Sequence, residues 1–103
     1  MGSMEATKAR RLLDKYDLTK FQKDVLIATL AIPKGETRTY RDIAVVVHRP
    51  RAYRAVGTAL RLNPLAPSIP CHRVVRSDGD IGNYSAAGGK KTKERLLRLE
   101  GAL

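Results

Sequence analysis

The chain lacks the residues that several common classes of protein require. It contains one cysteine, one phenylalanine and no tryptophan in 103 residues. A single cysteine excludes an internal disulfide framework and indicates a reducing compartment. No apolar run approaches the roughly 20 residues of a membrane helix, and no secretory signal is visible. One cysteine with two histidines cannot form the closed four-ligand shell of a structural zinc site, so neither metal nor cofactor is expected.

Acidic residues are scarce where arginines are dense. The whole chain carries a net charge of +10, and the segment Arg38–Arg76 holds eight arginines, no lysine and one acid, a balance of +7. A guanidinium group can bind phosphate oxygens at two points, and phosphate binding releases counterions. The pattern predicts a nucleic acid partner. A solvated basic surface is the alternative, whereas a membrane surface is disfavoured because no strongly apolar amphipathic face accompanies the charge.

Hydrophobic spacing predicts one mainly helical domain, which the length also favours. Thr19 with Gln22 has the form of a capping box, and Thr39 is an N-cap candidate with an acid, Asp42, in its first turn. The predicted helices run over Glu5–Lys15, from Thr19 to the stop at Pro33–Gly35, from Thr39 through Val47, from Pro50 to about Leu62, and over Lys90–Glu100.

Two of these helices predict a helix-turn-helix, since a tight turn joins them and the second is rich in arginine. Ile69–Val75 is short, apolar and β-branched, which indicates an extended segment, and Ile81–Tyr84 is the candidate return strand of a hairpin. The predicted fold is therefore mainly α with a short β-hairpin, like a winged helix-turn-helix. Residues 1–20 are predicted to be an N-terminal helical extension of a domain over residues 21–103.

The only cysteine, Cys71, lies directly beside His72. A free thiol is only a few per cent thiolate at neutral pH, and a nearby base or positive field raises that fraction. Adjacent residues of an extended segment point to opposite sides, so contact would need a bridging water or a local turn. A carboxylate that orients the histidine would complete a relay, and Glu100 is the best candidate in the C-terminal half. An inert buried thiol is the alternative.

The segment Pro70–Val75, with the sequence Pro-Cys-His-Arg-Val-Val, resembles the C-terminal domain of O6-alkylguanine-DNA alkyltransferases. The resemblance covers roughly Phe21 to Leu103. Further matching motifs follow in family order: Thr39-Tyr40, Ala55-Val56-Gly57, Asn63-Pro64, Gly82-Asn83-Tyr84-Ser85, Leu96-Leu97 and Glu100-Gly101.

This resemblance implies DNA repair by direct, single-use alkyl transfer. Cys71 would take an alkyl group from O6 of guanine in duplex DNA and keep it as a thioether. His72 would accept the thiol proton through a water, and Glu100 would hold and polarise His72. Tyr40 would help to protonate or stabilise the departing guanine.

The resemblance also implies how DNA is held. The nucleotide would be flipped out of the duplex, because its O6 is inaccessible in the base stack. Arg54 would fill the vacated space, and Asn63 would form the hinge between the recognition helix and the reactive segment. The backbone of Val74 and the Tyr84-Ser85 loop would line the guanine pocket. Further DNA contacts are expected from Arg51, Arg61, Arg41 and Thr39.

Each assigned role has a purely structural alternative. The alternatives are a core aromatic for Tyr40, one more phosphate contact for Arg54, a helix C-cap for Asn63, a solvated helix end for Glu100 and hairpin packing for Tyr84. Where the family pattern has Gly-Asn, this chain has His48-Arg49. Near Ala66 the usual proline is displaced to Pro67, and Ala86-Ala87 replaces glycines.

Two rival functions belong to other classes. A non-catalytic alkyltransferase-like protein would bind O6-alkylguanine DNA and recruit another repair pathway. The small size favours that reading, whereas the presence of Cys71 opposes it, because such proteins lack the cysteine. A winged-helix regulator would instead prefer particular DNA sequences. For the repair protein we expect a monomer in the cytoplasm, at the nucleoid, or in the nucleus.

Overall fold

The structure is a computed structural model that describes residues 5–66, 68–77 and 89–103. The five predicted helices are confirmed, with ends displaced by a few residues. The elements are α1 (Ala6–Leu13), α2 (Lys20–Thr29), β1 (Arg38–Thr39), α3 (Tyr40–Val46), α4 (Tyr53–Arg61), a 3₁₀ turn (Cys71–Arg73), β2 (Val74–Val75) and α5 (Gly89–Leu99). No helix among these is long and apolar enough to cross a membrane.

Both predicted helix starts are confirmed as capping boxes. The hydroxyl of Thr19 accepts a hydrogen bond from the backbone N–H of Gln22 (3.1 Å), whose side chain accepts one from the Thr19 N–H (2.9 Å). Thr39 and Asp42 make the same reciprocal pair at 3.0 and 2.9 Å. Two otherwise unsatisfied donors are thus bonded at each start, which fixes where α2 and α3 begin.

The prediction of an extended segment over Ile69–Val75 is wrong for its centre. Cys71–Arg73 forms a 3₁₀ turn after Pro70, closed by a 2.9 Å hydrogen bond from the Arg73 N–H to the Pro70 carbonyl. The two residues that follow pair in parallel with β1, with Arg38 opposite Val74. Among the described residues, the strand that pairs with Val74–Val75 thus comes from far earlier in the chain. Residues 81–84 lie outside the described residues.

The core lies between α2, α3 and α4, with the Cys71 segment against it. Its buried apolar side chains include Val25, Leu26, Ile43, Ala44, Val56, Ala59, Leu60, Ile69 and Val74. Ala9 and Leu13 of α1 belong to the same core. Ion pairs from Arg10 to Asp24 (3.0 Å) and from Lys23 to Asp14 (2.8 Å) also join α1 to α2. The first helix thus packs as an integral layer of the fold.

The helix α5 buries only one of its faces. Leu97 is fully buried and Leu96 packs against the core, but Leu99 is exposed to solvent. A residue two positions along a helix points away from its neighbour by roughly 200°, so Leu97 and Leu99 cannot share a face. The buried face of α5 instead includes Lys93.

The turn of the helix-turn-helix is closed by backbone hydrogen bonds after α3. The His48 N–H donates to the Val45 carbonyl (3.0 Å), and the Arg49 N–H donates to the Ala44 carbonyl (2.8 Å). These are the two bonds of a Schellman motif, which requires a left-handed residue and favours glycine. His48 has that conformation, with a φ of 62°. The histidine at a position where the family pattern has glycine is therefore strained.

Replacing the strained residue should stabilise the fold. We expect His48→Gly to raise the free energy of unfolding by about 0.5–1 kcal/mol, because relief of the left-handed strain exceeds the added entropy of the unfolded chain. The same motif ends α5 with Gly101 at a φ of 81°, so Gly101→Ala should lower it by about 1–2 kcal/mol. Urea unfolding measures the change in the free energy of unfolding for each substitution. Changes of the same sign and size for His48→Gly and Gly101→Ala would contradict the strain argument.

Candidate active site and DNA-contact surface

The thiol of Cys71 is buried at the start of the 3₁₀ turn. Asn63 fixes the preceding loop. Its Nδ2 donates to the Ile69 carbonyl and its Oδ1 accepts from the Leu65 N–H, both at 2.9 Å. These bonds run forward into the loop rather than back to the carbonyls of α4, so the side chain is not a C-cap. Asn63 thereby links the end of α4 to the reactive segment, which is the position that a hinge requires.

His72 and Arg73 converge on one carboxylate, that of Glu100. Nε2 of His72 lies 3.0 Å from Oε2 of Glu100. Arg73 donates to both carboxylate oxygens, from Nε at 2.9 Å and from a terminal nitrogen at 2.8 Å. The other terminal nitrogen donates to the Ile32 carbonyl at 2.8 Å. The side chain of Glu100 is only 12% exposed, so it is not the solvated helix end of the structural alternative.

The backbone around Glu100 is as constrained as its side chain. Glu100 is the last residue before Gly101, whose left-handed conformation closes the Schellman motif of α5 through bonds to Arg98 and Leu97. On the other side, Gly35 has a φ of 90°, and a Cβ there would lie 3.1 Å from the Glu100 carbonyl oxygen. Glycine at position 35 thus permits the loop after α2 to approach the end of α5 closely.

This arrangement determines the protonation of the histidine. The hydrogen bonds from Arg73 are the main cause that lowers the pKa of Glu100 to about 2, so the carboxyl is ionised at neutral pH. Burial lowers the pKa of His72, against the opposing effect of Glu100. A neutral imidazole beside a carboxylate carries its proton on the nitrogen facing that carboxylate. Nε2 is therefore the donor, and Nδ1 keeps its lone pair.

The thiol itself is neutral at rest. Burial raises the pKa of Cys71 above its ordinary value of 9.0, and a hydrogen bond from Asn63 and the charge of Lys93 only partly oppose this. Thiolate is the nucleophilic form of cysteine. The Cys71 thiol would therefore have to lose its proton before it could act as a nucleophile.

Lys93 is a residue of this site that the sequence analysis missed. It is almost fully buried, and its Nζ donates to the Val74 carbonyl at 2.7 Å. The same ammonium group lies 5.8 Å from the ring centroid of Tyr40. The spacing contained a signal, since Lys93 is four residues before the buried Leu97 and must share its face. The sequence analysis also missed the pairing of Arg73 with both carboxylate oxygens of Glu100, here called the clamp. No local pattern in the sequence links these two residues.

Tyr40 is half-buried at the start of α3, where the β1–β2 pairing brings it near the Cys71 turn. It packs against the core and also lines a surface cavity, so the core-aromatic alternative describes only part of its surroundings. The side chain of Thr39, the preceding residue, already serves the capping box as an acceptor. The hydroxyl hydrogen of Thr39 is not used by the capping box and remains as a donor.

The arginines of the helix-turn-helix are exposed. Arg41 is in the first turn of α3, Arg54 and Arg61 are on α4, and Arg51 precedes α4. Within the described part of the chain, no carboxylate forms an ion pair with Arg41, Arg51 or Arg54. The guanidinium groups of these three therefore face solvent as donors for an external polyanion.

Two predicted site residues, Tyr84 and Ser85, lie outside the described residues, as does Pro67. Among residues 5–66, 68–77 and 89–103, no three histidine, cysteine, aspartate or glutamate side chains group as metal ligands would.

A helix-turn-helix with exposed arginines lies next to a buried thiol and a carboxylate-held imidazole, and the helix-turn-helix is typical of a DNA-binding domain. Residues 20–102 match the family described as "6-O-methylguanine DNA methyltransferase, DNA binding domain". The chain belongs to this family, which confirms the resemblance found in the sequence.

Individual relatives agree with the family match. A methylated-DNA–protein-cysteine methyltransferase of Methanosarcina barkeri is 53% identical over 94 residues, which cover 85% of this chain and 58% of the relative. The crystal structure of Mycobacterium tuberculosis OGT in complex with DNA has a TM-score of 0.77 at 47% identity, covering 81% of this chain and 49% of the other. The chain spans about half the length of the curated relatives it matches.

A third structure is similar over most of its own length. S. pombe Atl1, in complex with damaged DNA containing O6-carboxymethylguanine, has a TM-score of 0.72 at 31% identity, covering 84% of this chain and 80% of that chain.

The pairing of Glu100 with Arg73 should make the free energy of unfolding depend on pH in the acid range. In the unfolded chain Glu100 takes up a proton near its ordinary pKa of 4.5, but in the folded chain only near 2. Between these values the unfolded state binds more protons, so the free energy of unfolding should fall as the pH falls from about 4.5 to about 2. Urea unfolding at a series of pH values measures this slope.

The matched variant is Glu100→Gln, which should be less stable at neutral pH and should lose the part of the slope due to residue 100. Asp24 also has a lowered pKa, where hydrogen bonds from Lys20 and Arg10 outweigh the opposing effect of burial. Its contribution is common to both proteins and cancels in the difference. Identical pH slopes in the two proteins would contradict the clamp.

Proposed function

We propose that the chain repairs DNA by transferring an alkyl group from O6 of guanine in duplex DNA to Cys71, once per molecule. The observation that carries the proposal is the buried Cys71 thiol beside an imidazole whose Nε2 is held by an ionised carboxylate. The names of the relatives, methylated-DNA–protein-cysteine methyltransferases, support the same chemistry.

The first step is removal of the thiol proton. Because Nε2 of His72 donates to Glu100, the lone pair of Nδ1 is available to accept the proton of Cys71 through a bridging water. The S–H bond breaks and an N–H bond forms, which leaves a thiolate and an imidazolium. The negative charge of Glu100 stabilises that imidazolium, and Arg73 keeps Glu100 ionised and in place. This is general base catalysis with an oriented histidine.

The second step is displacement at the alkyl carbon. The thiolate forms a bond to that carbon while the bond from carbon to O6 breaks, and the electron pair remains on the guanine. The hydroxyl of Tyr40 would donate a proton or hydrogen bond to the departing base, and the Lys93 ammonium near its ring would favour negative charge there. A thioether does not react backwards, so the protein is consumed.

The DNA must present a flipped nucleotide to this site. Extrusion costs a few kcal/mol, and less at a damaged pair, which favours the lesion. Arg54 on α4 is proposed to occupy the vacated stack. Arg51, Arg61 and Arg41, with the Thr39 hydroxyl, are proposed to contact phosphates, which position the duplex without reading its sequence. The guanine would be lined by the Val74 backbone and by Tyr84 and Ser85.

Partners and compartment follow from the substrate. The proposed partner is double-stranded DNA containing O6-alkylguanine, bound by a monomer. A protein with that substrate works where DNA is, in the cytoplasm at the nucleoid or in the nucleus. The rival, a recognition-only protein, has no use for an alkyl acceptor, and the oriented His72 beside Cys71 argues against it.

Intact-protein mass spectrometry tests the transfer directly. After mixing with a duplex that contains one O6-methylguanine, the protein should gain the mass of one methyl group, because Cys71 is the acceptor. Cys71→Ser should bind the duplex and gain nothing. Tight, lesion-selective binding of the wild-type protein with no mass gain would overturn the proposal in favour of the recognition-only function.

The role of Glu100 predicts a rate effect. Glu100→Gln removes the charge that stabilises the imidazolium, and the single-turnover rate of methyl transfer should fall by about 100-fold or more, within the range that general base catalysis contributes. Glu94→Gln is the control, since Glu94 lies on α5, which ends just before Glu100, and forms an ion pair with the exposed Arg98. Rapid-quench sampling gives both rates, and equal rates would show that the carboxylate of Glu100 takes no part.

A further inference from the structure

We propose that Tyr53 is an aromatic DNA contact that stacks on the nucleotide next to the flipped guanine, with the phosphate of that nucleotide held by Arg41. This proposal rests on the proposed function, because it describes a further contact to the same bound DNA, next to the proposed reaction centre. The structural basis is a surface cavity, here called the tyrosine cavity, of about 220 Å³. Its lining residues are Tyr40, Arg41, Tyr53, Arg76 and Ser77.

The chemistry of the tyrosine cavity matches a nucleotide. The two arginines supply positive charge, Arg41 and the serine hydroxyl offer hydrogen bonds, and none of the described lining residues is acidic. Two tyrosine rings offer aromatic surface in the same space. Phosphate binds guanidinium groups at two points, and a base stacks on an aromatic ring. A nucleotide is a ligand that presents both features within one residue.

The ring of Tyr53 is held in place for stacking. The guanidinium carbon of Arg41 lies 5.8 Å from the centroid of the Tyr53 ring. This cation–π contact joins the first turn of α3 to the first residue of α4, the two helices of the helix-turn-helix. Tyr53 is nevertheless 41% exposed, so its side chain remains accessible to a ligand.

The residues next to Tyr53 determine which nucleotide its ring would contact. Tyr53 precedes Arg54, the residue proposed to enter the base stack, and it shares the cavity with Tyr40, the residue proposed to face the flipped guanine. A ligand in the cavity is therefore beside the reaction centre but not in it. The small residues Ala55 and Gly57 on α4 leave Tyr53 as the only large aromatic on that helix.

Substitution of the ring should weaken DNA binding. Tyr53→Leu keeps an apolar side chain of moderate size but removes the aromatic face, and its Kd for an O6-methylguanine duplex should rise about 5- to 150-fold, the range for loss of one base stack. Tyr53→Phe should bind like the wild-type protein. The matched control is Tyr16→Ala, because Tyr16 is similarly exposed at 45% but lies between α1 and α2, and this variant should not change the Kd.

A fluorescent base reports the contact itself. Duplexes with 2-aminopurine directly 5′ or directly 3′ of the lesion should show, at one of these positions, a fluorescence change on binding that is present with Tyr53→Phe and lost with Tyr53→Leu. Arg41→Gln should lower the slope of log K against log salt by about 1, since one phosphate contact is lost, whereas Tyr53→Leu should leave that slope unchanged.

The proposal is overturned if Tyr53→Leu, folded by circular dichroism, binds the duplex as tightly as Tyr16→Ala does, or if both 2-aminopurine duplexes respond identically to Tyr53→Leu and Tyr53→Phe. These measurements report binding alone. Methyl transfer by the wild-type protein is decided separately by its mass, so the stacking contact and the proposed repair activity can fail independently.

Discussion

The pairing of Arg73 with Glu100 is the interaction on which the rest of the site depends. It brings a carboxylate out of water, keeps it ionised and fixes both of its oxygens. This ionised and immobile carboxylate accepts the hydrogen bond from Nε2–H of the buried, neutral His72, and that tautomer leaves Nδ1 basic. Arg73 also bonds the Ile32 carbonyl, so the end of α5 is joined through one side chain to the loop after α2.

Two contacts connect the helices that carry the exposed arginines with the Cys71 segment, one through the backbone and one through a side chain. The parallel pair of β1 and β2 places the start of α3 beside the end of the Cys71 turn, and Asn63 connects the end of α4 to the segment before Cys71. The two helices that carry the arginines are thus each bonded to the reactive segment. A duplex positioned on those helices is positioned relative to the thiol at the same time.

Local signals explain what could be predicted from the sequence. The capping boxes at Thr19 and Thr39 each join residues three positions apart. The types of these residues therefore determine where the helix begins, almost independently of the rest of the fold. The pairing of Arg73 with Glu100 and that of Val74 with Arg38 join segments distant in the chain, and no local pattern encodes them. The 3₁₀ turn at Cys71 was missed because a β-branched run favours strand, whereas Pro70 and the bonds of Asn63 impose a turn. The residues of the C-terminal half and the resemblance both pointed to Glu100, but neither identified the arginine that keeps it ionised.

Nitrogen-15 NMR of the imidazole of His72 tests the central claim most directly. With selectively labelled histidine at neutral pH, and His72→Gln to assign the signal, the account predicts a neutral ring with the proton on Nε2 and an unprotonated Nδ1. Glu100→Gln should disturb this state. A ring protonated on Nδ1 alone, or on both nitrogens, would contradict the account, because no lone pair would then be available for the proton of Cys71.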